Sequence, residues 1–108
     1  MDLEKVYDEE IAPLMAQIID ICNKHELPMI AEFEYSPGHF CKTALLYAGK
    51  YHPLMKHLNV LSQCGQDSGV NIDKYMFWVA KGARVEGHSS IALKQMGIPE
   101  RPESPEAN

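Results

Sequence analysis

No run in this 108-residue sequence is apolar for long enough to cross a bilayer, and the opening MDLEKVYDEE lacks the basic start and apolar stretch of a secretory leader. A cytoplasmic protein without membrane partners is therefore expected. Cysteine is scarce and odd in number: Cys22, Cys41 and Cys64 lie far apart, each in an apolar run where a small hydrophobe would serve. That pattern fits reduced thiols and requires no disulfide. Also missing are a phosphate-binding glycine loop, a dinucleotide fingerprint, an HExxH pair and any cysteine in a nucleophile setting. The sequence thus leans away from an enzyme and implies no cofactor. Lys and Arg together number 10 against 15 Asp and Glu, which argues against direct nucleic-acid binding.

What is present is an ordinary globular composition, 45% hydrophobic, enough for one core. A single α+β domain is expected over residues 1–98, followed by a disordered, acidic, Pro/Glu-rich tail over 99–108 that holds no large apolar side chain. Charge is distributed unevenly. Residues 1–41 carry nine acidic side chains against Lys5 and Lys24, whereas residues 42–98 carry seven basic ones against Asp67, Asp73 and Glu86. Such asymmetry favours self-association or docking on a charged partner.

The predicted order is a helix, an antiparallel β-hairpin, two further helices and a short C-terminal helical segment. Ile11, Leu14, Met15, Ile18, Cys22 and His25 recur at helical spacing and predict one buried stripe, with a kink or restart at Pro13. Pro28 ends that helix. Met29 to Tyr35 and Phe40 to Tyr47 read as strands around Ser36-Pro37-Gly38-His39, whose Pro-Gly order suits a type II turn. A four-residue loop closing Tyr35 onto Phe40 would pair Phe33 with Lys42, Ala31 with Ala44 and Met29 with Leu46. Glu32, Glu34, Cys41 and Thr43 would then share the other face. Pro53 opens a helix with Leu54, Leu58, Leu61 and Cys64 on its core side, and a loop follows over Gln66 to Val70. Asn71 caps a third helix with Ile72, Tyr75, Met76, Val79 and Ala83 at core spacing. Phe77 and Trp78 lie off that stripe, which predicts a central element packed on two sides.

One metal site is conceivable. Cys22 and His25 are three apart on a helix, His39 and Cys41 share a hairpin face, and two thiolates with two imidazoles would suit zinc. A small metal-binding protein or enzyme built on those four residues is one alternative. The segment Ile91 to Pro99 resembles the first helix and turn of helix-turn-helix DNA readers, but Glu100 to Pro105 cannot build a recognition helix after it.

The segment Ile18-Ile19-Asp20-Ile21-Cys22-Asn23-Lys24-His25-Glu26-Leu27-Pro28-Met29, followed by Phe33, resembles small bacteriophage and prophage accessory proteins. The resemblance implies a role beside a host protein and assigns no catalytic or binding residue. From the residues themselves, the favoured expectation is a non-enzymatic protein-interaction module whose partner is a host protein or a second copy of itself. Phe77, Trp78, Glu32 and Glu34 are the candidate contact residues, and a homodimer through open hairpin edges is one form it would take. A second alternative is an acidic nucleic-acid mimic built on Glu4, Asp8, Glu9, Glu10, Glu32 and Glu34.

Overall fold

The computed structural model describes residues 1–66 and 69–102. The chain is α+β, and its contacts divide it into two units, Met1–Val70 and the stretch from Asn71 onward. The first unit opens with α1 (Glu4–Val6), a π-helical turn (Tyr7–Ile11) and α2 (Ala12–His25), running on from one another. The disturbance expected at Pro13 sits just ahead of it. Proline has no N–H and its ring crowds the carbonyl four residues back, at Glu9. A wider turn relieves that clash, and the Ala12 N–H reaches five residues back to Tyr7 O. The helix ends where Glu26 adopts φ 51, with Leu27 N–H donating to Cys22 O at 2.9 Å.

β1 (Met29–Ser36) and β2 (His39–Leu45) form the expected antiparallel hairpin around Pro37-Gly38, with Gly38 at φ 79 as a type II turn needs. The register is one residue away from the expected one. Tyr35 is the extra residue of a bulge between Glu34 and Ser36, so Phe33 faces Cys41, Ala31 faces Thr43 and Met29 faces Leu45. Side chains alternate along a strand, so the slip exchanges faces: Lys42 moves opposite Glu32, while Cys41 and Thr43 join Phe33.

The opening helix lies over the Phe33 face. Tyr7 and Phe33 rings sit 5.4 Å apart, the Leu3 N–H bonds Tyr35 O, and Tyr47 donates its hydroxyl to Asn23 Oδ1. Met15 and Cys22 are the buried residues of α2. The opposite face meets α3 (Pro53–Ser62) through polar side chains. Lys42 Nζ donates to Asn59 Oδ1 at 2.8 Å, and Ser62 Oγ donates to Glu32 Oε1 at 3.0 Å. His52 caps α3, its Nδ1 accepting the Leu54 N–H at 3.1 Å. Beyond it, β3 (Gly65–Gln66) and β4 (Gly69–Val70) pair antiparallel where a loop was expected; Asp67 and Ser68 of that stretch lie outside the described residues.

The second unit joins α4 (Ile72–Glu86) to α5 (Ile91–Gln95). Ala80 and Ala83 of α4 are buried with Ile98, and Leu93 packs against them. Small residues at that point let the segment after α5 come close to the helix. α5 closes with Gly97 at φ 86 and with Ile98 N–H bonded to Leu93 O, placing Ile98 against Leu93. Contrary to the expected free tail, the residues just after Pro99 are held: Glu100 O accepts the His88 N–H at 2.9 Å, and its carboxylate pairs with Lys94 at 3.1 Å. The rest of the expected tail, 103–108, lies outside the described residues.

Candidate interaction surface

The faces buried by these helices are not the ones that apolar spacing alone selects. In α2, Met15 and Cys22 are 6% and 4% exposed, but Leu14, Ile18 and Ile21 stand 55%, 44% and 58% exposed. These three are spaced by four and three residues, so they form a second, outward row beside the buried one. His25 continues that row, also exposed. The expected single stripe of α2 is therefore two stripes pointing in different directions.

α3 repeats the pattern. Asn59 and Ser62 turn towards the Lys42 and Glu32 face of the hairpin, and the helix is rotated so that Leu54, Leu58 and Leu61, expected in the core, are exposed. Only Cys64 of that expected stripe is buried. In α4, Phe77 is 75% exposed, so the helix is not packed on the side that carries it. Ile72 is exposed as well, while Trp78 is half-buried and stacks on Tyr75 with ring centroids 6.2 Å apart. Of the two aromatics singled out on this helix, Phe77 is the one left exposed.

Glu32 ties the hairpin to α3 and Glu34 serves the hairpin turn. Glu32 accepts from Ser62, and Glu34 Oε2 accepts the Gly38 N–H at 3.2 Å, steadying the turn. The acidic residues at 4, 8, 9 and 10 remain exposed along the opening helix.

The four candidate metal ligands have separate settings. Cys22 is buried under α2, His25 is exposed at its last turn, and His39 lies at the hairpin end with its ring 6.2 Å from that of Tyr35. Cys41 is half-buried and hydrogen-bonded to the Tyr7 hydroxyl. Among the described residues no group of three or more His, Cys, Asp or Glu side chains is placed to hold a metal ion. The Cys41 hydrogen bond, partial burial and the nearby Cys41 and Asp8 charges hold the Tyr7 hydroxyl above the ordinary tyrosine value. Burial, with Cys22 and Glu26 nearby, does the same for Tyr47.

Two further histidines have defined structural roles. His88 Nδ1 accepts the Ser90 N–H at 3.0 Å while Nε2 bonds Ile98 O at 2.9 Å, so the ring is the neutral Nε2–H tautomer that ties the α4–α5 connection together. His52 caps α3 in the same Nδ1-acceptor manner. For His52 the signal was its position just ahead of Pro53, where Ser, Thr, Asp or Asn is the usual cap; α5 has such a cap in Ser90, whose Oγ accepts the Leu93 N–H at 3.2 Å, and His88 stands two residues ahead of it. Among the described residues no helix is long and apolar enough to cross a membrane. Comparison of the chain with protein-family models, with curated proteins and with solved structures finds no match.

Proposed function

We propose that the protein is a non-enzymatic protein-interaction module. The single observation that carries this reading is the pair of outward apolar rows, Leu14/Ile18/Ile21 on α2 and Leu54/Leu58/Leu61 on α3, on helices whose other sides already hold the hairpin. Isolated exposed leucines are common on any surface, but rows of three at helical spacing give a partner helix or groove a continuous apolar strip. The resemblance of Ile18 to Met29 to phage and prophage accessory proteins supports a host protein as one class of partner, and two residues of the α2 row lie within that segment.

Purified protein tested by light scattering and by affinity capture from bacterial lysate, beside the variants Ile18→Glu and Leu58→Glu, checks the reading. The expected result is association by the wild type and its loss in at least one variant that keeps its circular dichroism spectrum. Absence of both self-association and a captured partner sensitive to either substitution overturns it.

A further inference from the structure

The α2 row is flanked on its solvent side by a strip whose charges are matched to a reversed copy of itself. Gln17 and Lys24, two α-helical turns apart on α2, and Glu10, seven residues before Gln17 in the π-helical turn that leads into α2, are all exposed beside Leu14, Ile18 and Ile21. The strip reads acid, amide, base. Turned end for end, it reads base, amide, acid. We infer that the outward face of α2 is occupied by the same face of a second copy of this chain, the two helices lying antiparallel about a two-fold axis at Gln17. This rests on the interaction-module reading and names the partner and the surface.

In that arrangement Glu10 of each chain lies beside Lys24 of the other, so the pairing is satisfied twice. Gln17 meets Gln17 on the axis, where an amide can donate and accept at once and is its own complement. Leu14 of one chain falls between Ile18 and Ile21 of the other, removing the exposed apolar row from water. Antiparallel alignment also sets the acidic first turns, rich in Asp8, Glu9 and Glu10, against the basic last turn with Lys24 and His25. The α3 row offers no such match. Pro53–Ser62 contains no acidic residue, so two copies of α3 set no opposite charges of that helix against one another. A single helix pair covers less than the roughly 800 Å² per partner of a typical stable interface, so the dimer forms and dissociates with concentration.

The experiment uses the full chain and surface substitutions. Gln17→Cys under mild oxidation is expected to give a disulfide-linked dimer on a non-reducing gel, while the wild type, with its three native cysteines, and Leu58→Cys do not. In sedimentation, Glu10→Lys and Lys24→Glu are each expected to weaken the dimer by about tenfold, since each single change sets two like-charge pairs across the axis. An equimolar mixture of those two single variants, or the double variant alone, is expected to recover wild-type association, because each restores both opposite-charge pairs. The inference is overturned by a monomer at all concentrations, by Leu58→Cys cross-linking in place of Gln17→Cys, or by single reversals that the mixture does not rescue. A monomer that still loses a lysate partner through Ile18→Glu overturns the dimer and leaves the interaction-module reading standing. A monomer with no such partner overturns both.

Discussion

Lys42 on β2 reaches out to α3 and donates to Asn59 Oδ1 at 2.8 Å, and its ammonium also lies 3.4 Å from the Asn59 carbonyl oxygen. Both groups are partly buried, and across the hairpin Lys42 faces Glu32, which accepts from Ser62 on the same helix. α3 is thus oriented by charge-assisted hydrogen bonds, and its leucines point outward in consequence. Asn59→Ala removes the acceptor and leaves a partly desolvated ammonium, so it is expected to cost about 1–2 kcal/mol in a urea unfolding series. The double change Lys42→Met with Asn59→Leu is expected to cost less than the single Asn59→Ala, because neither partner is then left unsatisfied. Equal losses for the two would place the weight of this contact elsewhere.

The outward rows make a separable claim about stability. Met15 is buried, and truncation to Ala leaves a cavity expected to cost about 2–4 kcal/mol. Ile18, one turn away but 44% exposed, is expected to cost under about 1 kcal/mol when truncated, and so is Leu58. These measurements belong at protein concentrations low enough to keep association out of the comparison. A loss at Ile18 matching that at Met15 would show the α2 row to be core.

Backbone geometry sets the sign of three further substitutions. Glu26 holds φ 51, where a Cβ is disfavoured, and its exposed pairing with Lys50 offsets little of that, so Glu26→Gly is expected to gain about 0.5–1 kcal/mol. Gly82 lies inside α4 with open space where a Cβ would stand, so Gly82→Ala is expected to gain about 0.5–1 kcal/mol of helix propensity. Gly87, at φ 83, would bring its Cβ to 3.0 Å from both Glu100 O and Pro102 Cδ. Gly87→Ala is therefore expected to cost about 2 kcal/mol or more. Thermal unfolding of the three variants checks the order; a stabilised Gly87→Ala would contradict the docking of Glu100 and Pro102 beside it.

The elements were legible in the sequence where local chemistry decides them. Pro37-Gly38 announced the turn, and Pro53 and Asn71 the helix starts. The failures have one source: periodicity reveals that a helix has an apolar side without saying what it is turned towards. Leu54, Leu58 and Leu61 carry the strongest stripe of α3, yet Lys42–Asn59 and Glu32–Ser62, pairs far apart in sequence, choose the neighbouring side for contact. Likewise the bulge at Tyr35 leaves no mark in strand alternation, and one residue of slip was enough to move Lys42 and Cys41 to the wrong faces. The outward row of α2 was written in the sequence but merged with its buried neighbour, because Leu14 and Met15, one residue apart, both fit a broad helical face. The candidate metal ligands were placed by spacing alone, and spacing does not bring a helix end to a hairpin tip.

The corrected register also carries a pH signature. With Cys41 on the Phe33 face, the Tyr7 hydroxyl donates to it, and that bond, partial burial and the neighbouring charges raise the Tyr7 pKa above the ordinary 10.0. Tyr47 is raised as well, chiefly by burial. For an acid whose folded pKa exceeds its unfolded value, the folded state holds the proton more tightly. The stability it contributes is complete below about pH 10 and is lost as pH rises through the elevated folded value. Tyr7 and Tyr47 are therefore expected to ionise above the ordinary tyrosine value in an alkaline titration of the near-ultraviolet tyrosinate band. Cys41→Ala removes the largest cause at Tyr7 and is expected to return that residue towards its ordinary range while leaving Tyr47 late. If Cys41→Ala changes neither transition, or shifts that of Tyr47 instead, then Cys41 does not face Tyr7, and the one-residue shift of the hairpin falls with it.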